Sequence, residues 1–502
     1  MRLLRGTTAL VCALTVVLAE TGSAGATGAG SSGVARPVSS IDWQPCGEHP
    51  ALDCATVHMP IDWANPAGQT VPIAVARAKA AKPEQRKGVL MVNPGGPGGS
   101  GVDYAFDISE NHALSQTLLD NFDIIGFDPR GVSRSAQLKC DDGVLNETWP
   151  WQPKSEKDFG EVLAHNDRVA QSCIQHNGAL ANHVDTTSVV RDMDALRELL
   201  GENTISYYGK SYGTQVGQQY AELFGPHLRA LVLDSNMDHS AGVADSLVPE
   251  NLALEQSFTD FAAWCQRTTS CVLHDRDVLV LWDDLYAKAT AGKLGWIKPS
   301  DLREEASWAM YTPVRWPSLA EFLKSAAEGT PTTRSARSTN TDDDLSKTTQ
   351  PIWCSDWQWR EANSYAALST YRTQAEAVAP HTRLTPFYGD ILACLGWSGA
   401  VNNPQRPLRV PHAPPILMTN SLRDVATPYQ WAQNVASQLP TATLLTYDGT
   451  GHGNYQLSTC ARAAIDAYLL TVRTPAPGTH CPAEWPTGES TDITHSNAPT
   501  MR

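Results

Sequence analysis

Strand-like and helix-like patterns of apolar residues alternate along the first half of the chain. Residues 88–93 and 122–127 are continuous apolar runs, typical of strands buried on both faces, and residues 186–200 place apolar side chains on one face of a helix. Residues 55–59 and 71–78 alternate apolar and polar positions instead, which predicts a hairpin. Because strands that alternate with helices form a mostly parallel central sheet with helices on both faces, we predict an α/β fold.

The alternation stops after Asp238 and resumes at residues 415–420. The segment between them has a largely helical pattern and is rich in tryptophan, and its polar stretch 330–349 predicts a mobile loop. We therefore predict one α/β domain that is interrupted by an inserted helical cap domain. The predicted divisions are a signal peptide at 1–26, a flexible N-terminal or pro-segment at 27–40, the first part of the core at 41–238, the cap at 239–405, the second part of the core at 406–481 and a flexible tail at 482–502.

The first residues of the chain have the pattern of a secretion signal. Arg2 and Arg5 precede the apolar stretch 8–19, which is too short to span a bilayer, and residues 24–26 are small, as a cleavage site requires. We therefore expect a secreted protein with no membrane partner. The formal net charge of -15 argues against a nucleic-acid partner, because the chain offers no basic footprint for phosphates.

Eleven cysteines occur in the chain, and one of them, Cys12, lies within the predicted signal. The remaining cysteines form an even set, which indicates disulfides in an exported protein. A zinc site is the alternative, but the chain has no C-x-x-C pair and no H-x-x-x-H cluster. Sequence leaves the connectivity open, and we predict that neighbours along the chain pair: Cys46–Cys54, Cys140–Cys173, Cys265–Cys271, Cys354–Cys394 and Cys460–Cys481.

The clearest chemical motif is the pentapeptide G-K-S-Y-G at 209–213, which fits G-x-S-x-G. A β-rich run precedes it and a helical pattern follows it, which is the strand–turn–helix setting of a nucleophile elbow. In that setting the hydroxyl of Ser211 projects from the tip of a sharp turn. A chance match is the simplest alternative. A phosphate-binding loop is another, but that loop requires a glycine where this chain has Thr204.

A serine nucleophile needs a base, and the base needs a carboxylate that orients it. In the α/β-hydrolase plan the chain order is Ser, then Asp or Glu, then His, each in a loop after a strand. Asp424 and His452 follow the predicted strands 415–420 and 442–447 in that order. Taken singly, a loop aspartate is more often a cap and a loop histidine more often exposed. The shared order and context favour a Ser211–Asp424–His452 triad.

An oxyanion hole requires backbone N–H groups that point at the developing negative charge. One is expected from Tyr212, the residue after the nucleophile. The other is expected from the glycine-rich loop 94–101, where Pro94 and Pro97 have no N–H to offer, which leaves Gly95 or Gly96. We assign it to Gly96. A plain turn is the alternative, although this loop holds more glycine than a turn needs.

Five segments together resemble the secreted tripeptidyl aminopeptidases of the α/β-hydrolase superfamily, which are relatives of the prolyl aminopeptidases. These segments are the glycine-rich loop 94–101, D-P-R-G at 128–131, G-K-S-Y-G at 209–213, D-V-A-T-P at 424–428 and G-H-G at 451–453. The related prolyl enzymes usually begin the oxyanion loop with His-Gly-Gly-Pro-Gly, and Pro94 stands in place of that histidine. The resemblance implies release of short peptides, typically tripeptides, from free N-termini, with no metal and no organic cofactor.

Two other functional classes fit the same motifs, because a fold does not determine a substrate. A secreted carboxylesterase or lipase-type hydrolase uses the same triad. A non-catalytic binding protein is the third class, but it has little reason to keep all three triad residues. We expect peptide or protein N-termini as the substrate, and a monomer.

The predicted cap follows a strand whose end borders the active-site edge, so we expect it to lie over Ser211. A cap that admits only a chain end has to recognise a free amine, and a buried ammonium needs carboxylate partners. Among the acids of the cap we assign this role to Asp356 and Glu361, which flank Trp357 and Trp359. The alternative for each residue is that the tryptophans are core and the acids are surface.

Overall fold

The computed structural model of the chain describes residues 40–329 and 342–486, without the side chains of residues 342–348. The predicted signal peptide 1–26 lies outside the described residues. So do most of the predicted segments 27–40 and 482–502 and part of the predicted loop 330–349.

Ten strands form one sheet in the order β1-β2-β3-β5-β4-β6-β7-β8-β9-β10. Pairing is antiparallel from β1 to β3 and between β3 and β5, and parallel across the rest of the sheet. The strands are β1 (Gln44–Cys46), β2 (His49–Pro60), β3 (Thr70–Ala78), β4 (Val89–Asn93), β5 (Asp123–Phe127), β6 (Ile205–Ser211), β7 (Leu228–Asn236), β8 (Ile416–Arg423), β9 (Ala442–Thr450) and β10 (His480–Cys481).

Helices connect these strands and fill the long segment between β7 and β8. Before β7 they are α1 (Gly101–Asn111), α2 (Gln116–Asn121), α3 (Asp142–Leu145), α4 (Glu156–Asn177), α5 (Thr186–Leu199) and α6 (Tyr212–Phe224). Between β7 and β8 they are α7 (Val243–Arg267), α8 (Val278–Thr290), α9 (Pro299–Met310), α10 (Trp316–Ala327), α11 (Asp342–Asp356), α12 (Tyr365–Ala377) and α13 (Tyr388–Cys394). After β8 they are α14 (Tyr429–Gln438), α15 (Asn454–Leu457) and α16 (Thr459–Thr471).

The central strands supply two cores because successive side chains of a strand point to opposite faces of the sheet. In β6, Tyr207 packs in one core with residues of α5 and α6, whereas Tyr208 packs in the other with residues of α1 and α16. Helices therefore cover both faces of a mostly parallel sheet, and the predicted α/β-hydrolase fold is confirmed.

The helices between β7 and β8 bury apolar cores of their own. One core joins α7 to α10 and includes Trp282 and Trp316, and the other involves α11 to α13 and includes Trp357. These tryptophans are packed as core residues. The predicted domain limits, including those of the cap at 239–405, stay predictions.

The strands and helices predicted for the core all occur, with small differences at their ends. The predicted hairpin is longer than its alternating pattern, since β2 and β3 pair from Asp53 and Arg77 to Pro60 and Thr70. The predicted loop 330–349 differs more, because α11 already begins at Asp342. Its polar composition concealed a helix, since acidic residues are favourable at a helix N-terminus.

All five predicted disulfides are present: Cys46–Cys54, Cys140–Cys173, Cys265–Cys271, Cys354–Cys394 and Cys460–Cys481. Neighbour pairing is therefore confirmed. Disulfides persist in oxidising compartments, so this framework fits a secreted protein.

The described residues show neither a membrane-spanning helix nor a cluster of metal ligands. No helix within residues 40–329 and 342–486 is long and apolar enough to cross a membrane. The same part of the chain contains no group of three or more His, Cys, Asp or Glu side chains placed to hold a metal ion.

Candidate active site

The pentapeptide at 209–213 forms a tight turn between β6 and α6. Ser211 has φ 58° and ψ -130°, a strained backbone conformation for a residue with a side chain. The flanking glycines permit the turn, because a Cβ on Gly209 would lie 2.3 Å from the carbonyl oxygen of Gly213, and one on Gly213 would lie 2.7 Å from that of Asn93. This is the geometry of a nucleophile elbow.

His452 and Asp424 lie together in the loops after β9 and β8. The Nδ1 atom of His452 is 2.9 Å from Oδ1 and 3.1 Å from Oδ2 of Asp424. The same carboxylate accepts the backbone N–H groups of Ala426 and Thr427 at 3.0 and 2.9 Å. Both catalytic candidates are buried, with 0% of Asp424 and 4% of His452 exposed. A carboxylate held in this way fixes the orientation of the imidazole.

The loop that carries His452 packs directly against the elbow. A Cβ on Gly453 would lie 2.9 Å from Cδ of Lys210, and the Gly453 N–H donates to Oγ of Ser235 on the neighbouring strand β7 at 2.8 Å. The opposite ring atom, His452 Nε2, is buried and has no hydrogen-bond partner among the described residues. This nitrogen is therefore available to accept a proton beside the elbow.

The glycine-rich loop also touches the elbow. A Cβ on Gly95 would lie 2.8 Å from Cβ of Ser211 and 3.1 Å from the backbone nitrogen of Tyr212. The Gly95 N–H donates to Oδ1 of Asn93 at 2.9 Å, so it is already used. The Gly96 N–H has no backbone acceptor among the described residues, and Tyr212 opens α6, where N–H groups have no partner within the helix. This arrangement suits Gly96 and Tyr212 as the two donors, and their role stays a prediction.

The helices between β7 and β8 reach this site at two points. The backbone N–H of His452 donates to the carbonyl oxygen of Tyr311 at 2.9 Å, and the two rings meet edge to face with centroids 5.4 Å apart. A Cβ on Gly98 of the glycine-rich loop would lie 2.5 Å from Cγ2 of Thr349 in α11. The inserted helices therefore border both His452, the candidate base, and the glycine-rich loop.

Two acids of these helices share the neighbourhood of Tyr311. The charges of Asp424, Asp390 and Glu250 all add to the effect of burial in raising the pKa of Tyr311. Glu250 on α7 is 6% exposed and has no hydrogen bond to the described part of the chain, and burial and the charge of Asp390 raise its pKa well above the usual range. Solvent reaches Asp390 on α13, although burial raises its pKa to about 7. Glu250, Asp390 and Tyr311 therefore lie close enough to one another to interact electrostatically.

The acids that sequence assigned to a substrate amine are Asp356 and Glu361. Asp356 is fully buried and accepts hydrogen bonds from Thr186, Tyr212, Gln215 and Asn403. Hydrogen bonds from the protein thus already occupy its carboxylate, which gives the predicted contact with a substrate amine no support.

Glu361 is exposed on a short 3₁₀ helix, Arg360–Ala362, where its carboxylate lies against Gly242. No contact with the elbow or with the His452 loop is recorded for its side chain. Its role in amine binding stays a prediction.

Sequence inspection missed Glu250 and Asp390. A signal for Glu250 does exist, because it falls on the apolar face of α7 between the buried residues Leu247 and Leu254. A carboxyl group on the apolar side of a helix is costly to ionise unless it has a partner or a ligand.

The chain is similar over most of its length to proteins named as hydrolases. A family model described as "TAP-like protein" matches residues 385–481. A tripeptidyl aminopeptidase from Streptomyces lividans is 29% identical, with 88% of this chain and 86% of that protein covered. The serine protease Hip1 of Mycobacterium tuberculosis is 27% identical, with 88% and 91% covered. A protein named carboxylesterase B from the same organism is 31% identical, with 88% and 89% covered.

Proposed function

Because this chain belongs to the tripeptidyl-aminopeptidase-like family of α/β-hydrolases and is a serine hydrolase, we propose that it is a secreted exopeptidase that releases short peptides, foremost tripeptides, from free N-termini. The observation that carries the proposal is the His452–Asp424 pair packed against the strained elbow of Ser211. The five disulfides support a location outside the cytoplasm. We expect a monomer.

The proposed mechanism is acyl transfer through the serine. Ser211 Oγ attacks the scissile carbonyl carbon and its proton passes to His452 Nε2, while Asp424 holds the imidazole by Nδ1 and stabilises the positive charge. The N–H groups of Tyr212 and Gly96 stabilise the oxyanion. His452 then protonates the leaving amine as the C–N bond breaks, and an acyl-enzyme remains. Water, activated by the same histidine, attacks the acyl-enzyme and releases the short peptide.

A comparison of three substrates tests this function. We expect a tripeptide p-nitroanilide with a free N-terminus to be cleaved with a far higher kcat/KM than the same peptide with an acylated N-terminus. A simple p-nitrophenyl ester serves as the third substrate, since it reports the serine chemistry without any amine. Equal cleavage of the acylated and free peptides would exclude an aminopeptidase.

A secreted carboxylesterase is the second candidate, and the 31% identity to a protein named carboxylesterase B favours it. The triad geometry serves esters and amides alike. Rapid ester hydrolysis with no measurable peptide cleavage of either kind would support this candidate instead.

Recognition of the free amine is the finer part of the proposal, and we assign it to Glu250 and Asp390. An ammonium group in a closed pocket is costly unless carboxylates pair with it. Glu250 is buried and has no hydrogen-bond partner in the described residues, and the charge of Asp390 acts both on it and on Tyr311. Burial raises the pKa of both acids, and the charge of Asp390 adds to the rise at Glu250. A substrate ammonium would supply a cation to pair with them.

Glu250→Gln and Asp390→Asn should each raise KM for the free-amine peptide by roughly 10–150-fold, the equivalent of about 1.5–3 kcal/mol for a hydrogen bond to a charged group. The acylated peptide carries no ammonium, so its KM should change little. In the unmodified enzyme, KM for the free-amine peptide should also rise as the pH falls, because burial raises the pKa of Glu250 and raises that of Asp390 to about 7, and both acids must lose their protons to pair with the amine. Steady-state kinetics on both peptides measures these effects.

Glu321→Gln provides the matched control, because Glu321 is an exposed acid on α10 of the same inserted segment. Its kinetics should match those of the unmodified enzyme. Glu361→Gln tests the competing assignment. A selective KM increase in Glu361→Gln, with Glu250→Gln and Asp390→Asn unaffected, would place amine recognition at the surface acid and contradict this assignment.

A further inference from the structure

The carboxylate of Asp356 joins the inserted helices to the elbow. It is the last residue of α11 and is 0% exposed. Its oxygens accept the hydroxyl of Tyr212 at 3.3 Å and the side-chain amide of Gln215 at 3.1 Å, both from α6. They also accept the backbone N–H of Thr186 at 3.0 Å and the side-chain amide of Asn403 at 2.7 Å. Donors from three separate parts of the chain therefore converge on one buried carboxylate.

No cation among the residues that the structure describes shares this network. The salt bridges of the described residues include none to Asp356, and burial together with the charge of Asp185 raises its pKa to about 7. A buried carboxylate without a counter-charge depends on its hydrogen-bond donors, so those donors are held firmly in place. The hydroxyls of Thr186 and Tyr212 are also 2.5 Å apart, which ties Tyr212 to the carboxylate by a second route.

Tyr212 is the elbow residue whose N–H is expected to face the oxyanion. The Tyr212 hydroxyl donates a hydrogen bond to Asp356. The position of the Tyr212 ring, and with it that of its backbone N–H, therefore depends on this carboxylate. Helix α11 also packs against the glycine-rich loop, which carries the second candidate oxyanion donor. A Cβ on Gly98 of that loop would lie 2.5 Å from Cγ2 of Thr349 in α11. One helix thus contacts both segments that would supply the donors, and the disulfide Cys354–Cys394 fastens the end of that helix to α13.

We propose that Asp356 is a positioning residue that sets the oxyanion hole through the Tyr212 side chain, and that α11 thereby couples the inserted helices to the catalytic elbow. This inference rests on the serine-hydrolase function proposed above. It gives Asp356 a role that differs from substrate binding, since its carboxylate acts on Tyr212 and touches no reacting atom.

The test is a double-mutant cycle of Asp356→Asn and Tyr212→Phe. The Asn variant keeps the size of the side chain, and the Phe variant keeps the backbone N–H of residue 212. Rates are expressed per serine titrated with a fluorophosphonate, so loss of folded protein does not count as loss of rate. We expect Asp356→Asn to lower kcat on the order of 10–100-fold with KM within about twofold, because misplacing one oxyanion donor weakens only the transition state.

Two further results are expected from the cycle. Affinity for a peptide aldehyde, whose adduct with the serine carries an oxyanion, should fall in Asp356→Asn by about the same factor as kcat. The double variant should be no slower than Asp356→Asn alone, because both changes cut the same connection.

Asp194→Asn is the matched control. Asp194 is a buried acid on α5 that accepts the hydroxyl of Tyr220, another tyrosine of α6, at 2.9 Å and lies outside the site. It should lower Tm while leaving kcat per titrated serine unchanged. An Asp356→Asn variant that behaves in the same way would overturn the inference, because a purely structural carboxylate affects stability alone.

Other outcomes separate this inference from the proposed function. A rise in KM limited to free-amine peptides would return Asp356 to substrate binding and also overturn the inference. A wild-type protein that reacts with the fluorophosphonate but cleaves no peptide would refute the proposed function only. The labelling rates of the wild type and Asp356→Asn would then decide the positioning role, with equal rates counting against it.

Discussion

Ser211→Ala should reduce kcat by about 10⁴–10⁶-fold, because loss of the nucleophile leaves only the contribution of binding and the oxyanion hole. Folding should be preserved. Alanine and serine share the Cβ that makes φ 58° a strained conformation, and no hydrogen bond of the Ser211 hydroxyl is recorded among the described residues. A change of no more than about 0.5 kcal/mol in the free energy of unfolding is expected at such a position. Covalent labelling by a fluorophosphonate and turnover of the peptide p-nitroanilide are the two measurements.

Ser133→Ala controls for the chemical change itself. Ser133 is another serine with positive φ, at 44°, and lies outside the candidate site. This variant should label and turn over like the unmodified protein. Persistent fluorophosphonate labelling in Ser211→Ala would show that the nucleophile is a different residue.

The sequence predicted the core well because its elements follow local rules, and the triad, which stays a prediction, rests on the same rules. Ser211, Asp424 and His452 each come after a strand, and parallel strands bring their carboxyl ends to one edge of a sheet. The two glycines of the pentapeptide also indicate a tight turn, because a Cβ on Gly209 or Gly213 would collide with neighbouring backbone atoms.

The acids to which we assign amine recognition could not be found in this way. Glu250 and Asp390 lie on α7 and α13, and only the packing of the inserted helices brings them into one neighbourhood. The amine-binding role of Asp356 stays a prediction for the same reason. Its place beside two tryptophans suggested a substrate pocket, whereas its donors come from Thr186, Tyr212 and other residues distant in the chain. Such side chains depend on tertiary contacts that no local pattern encodes.

Asp424→Asn should lower kcat by about 10⁴-fold while KM stays within a few-fold, because the change acts on the base and leaves the substrate pocket intact. The Asp424 carboxylate is hydrogen-bonded to Nδ1 of His452 and accepts the backbone N–H groups of Ala426 and Thr427. An asparagine presents an NH₂ group in place of one oxygen, which favours the wrong imidazole tautomer and removes the negative charge that stabilises the imidazolium. Asp260→Asn is the control, since Asp260 binds Arg423 and Thr450 at 3.1 Å each, next to the same two loops, without touching His452. Its kcat should stay within about tenfold of the unmodified enzyme, a loss that general disturbance of the loops can cause. Similar losses in both variants would mean that Asp424 serves only the loops, and the orienting carboxylate would then have to be sought among other acids near His452.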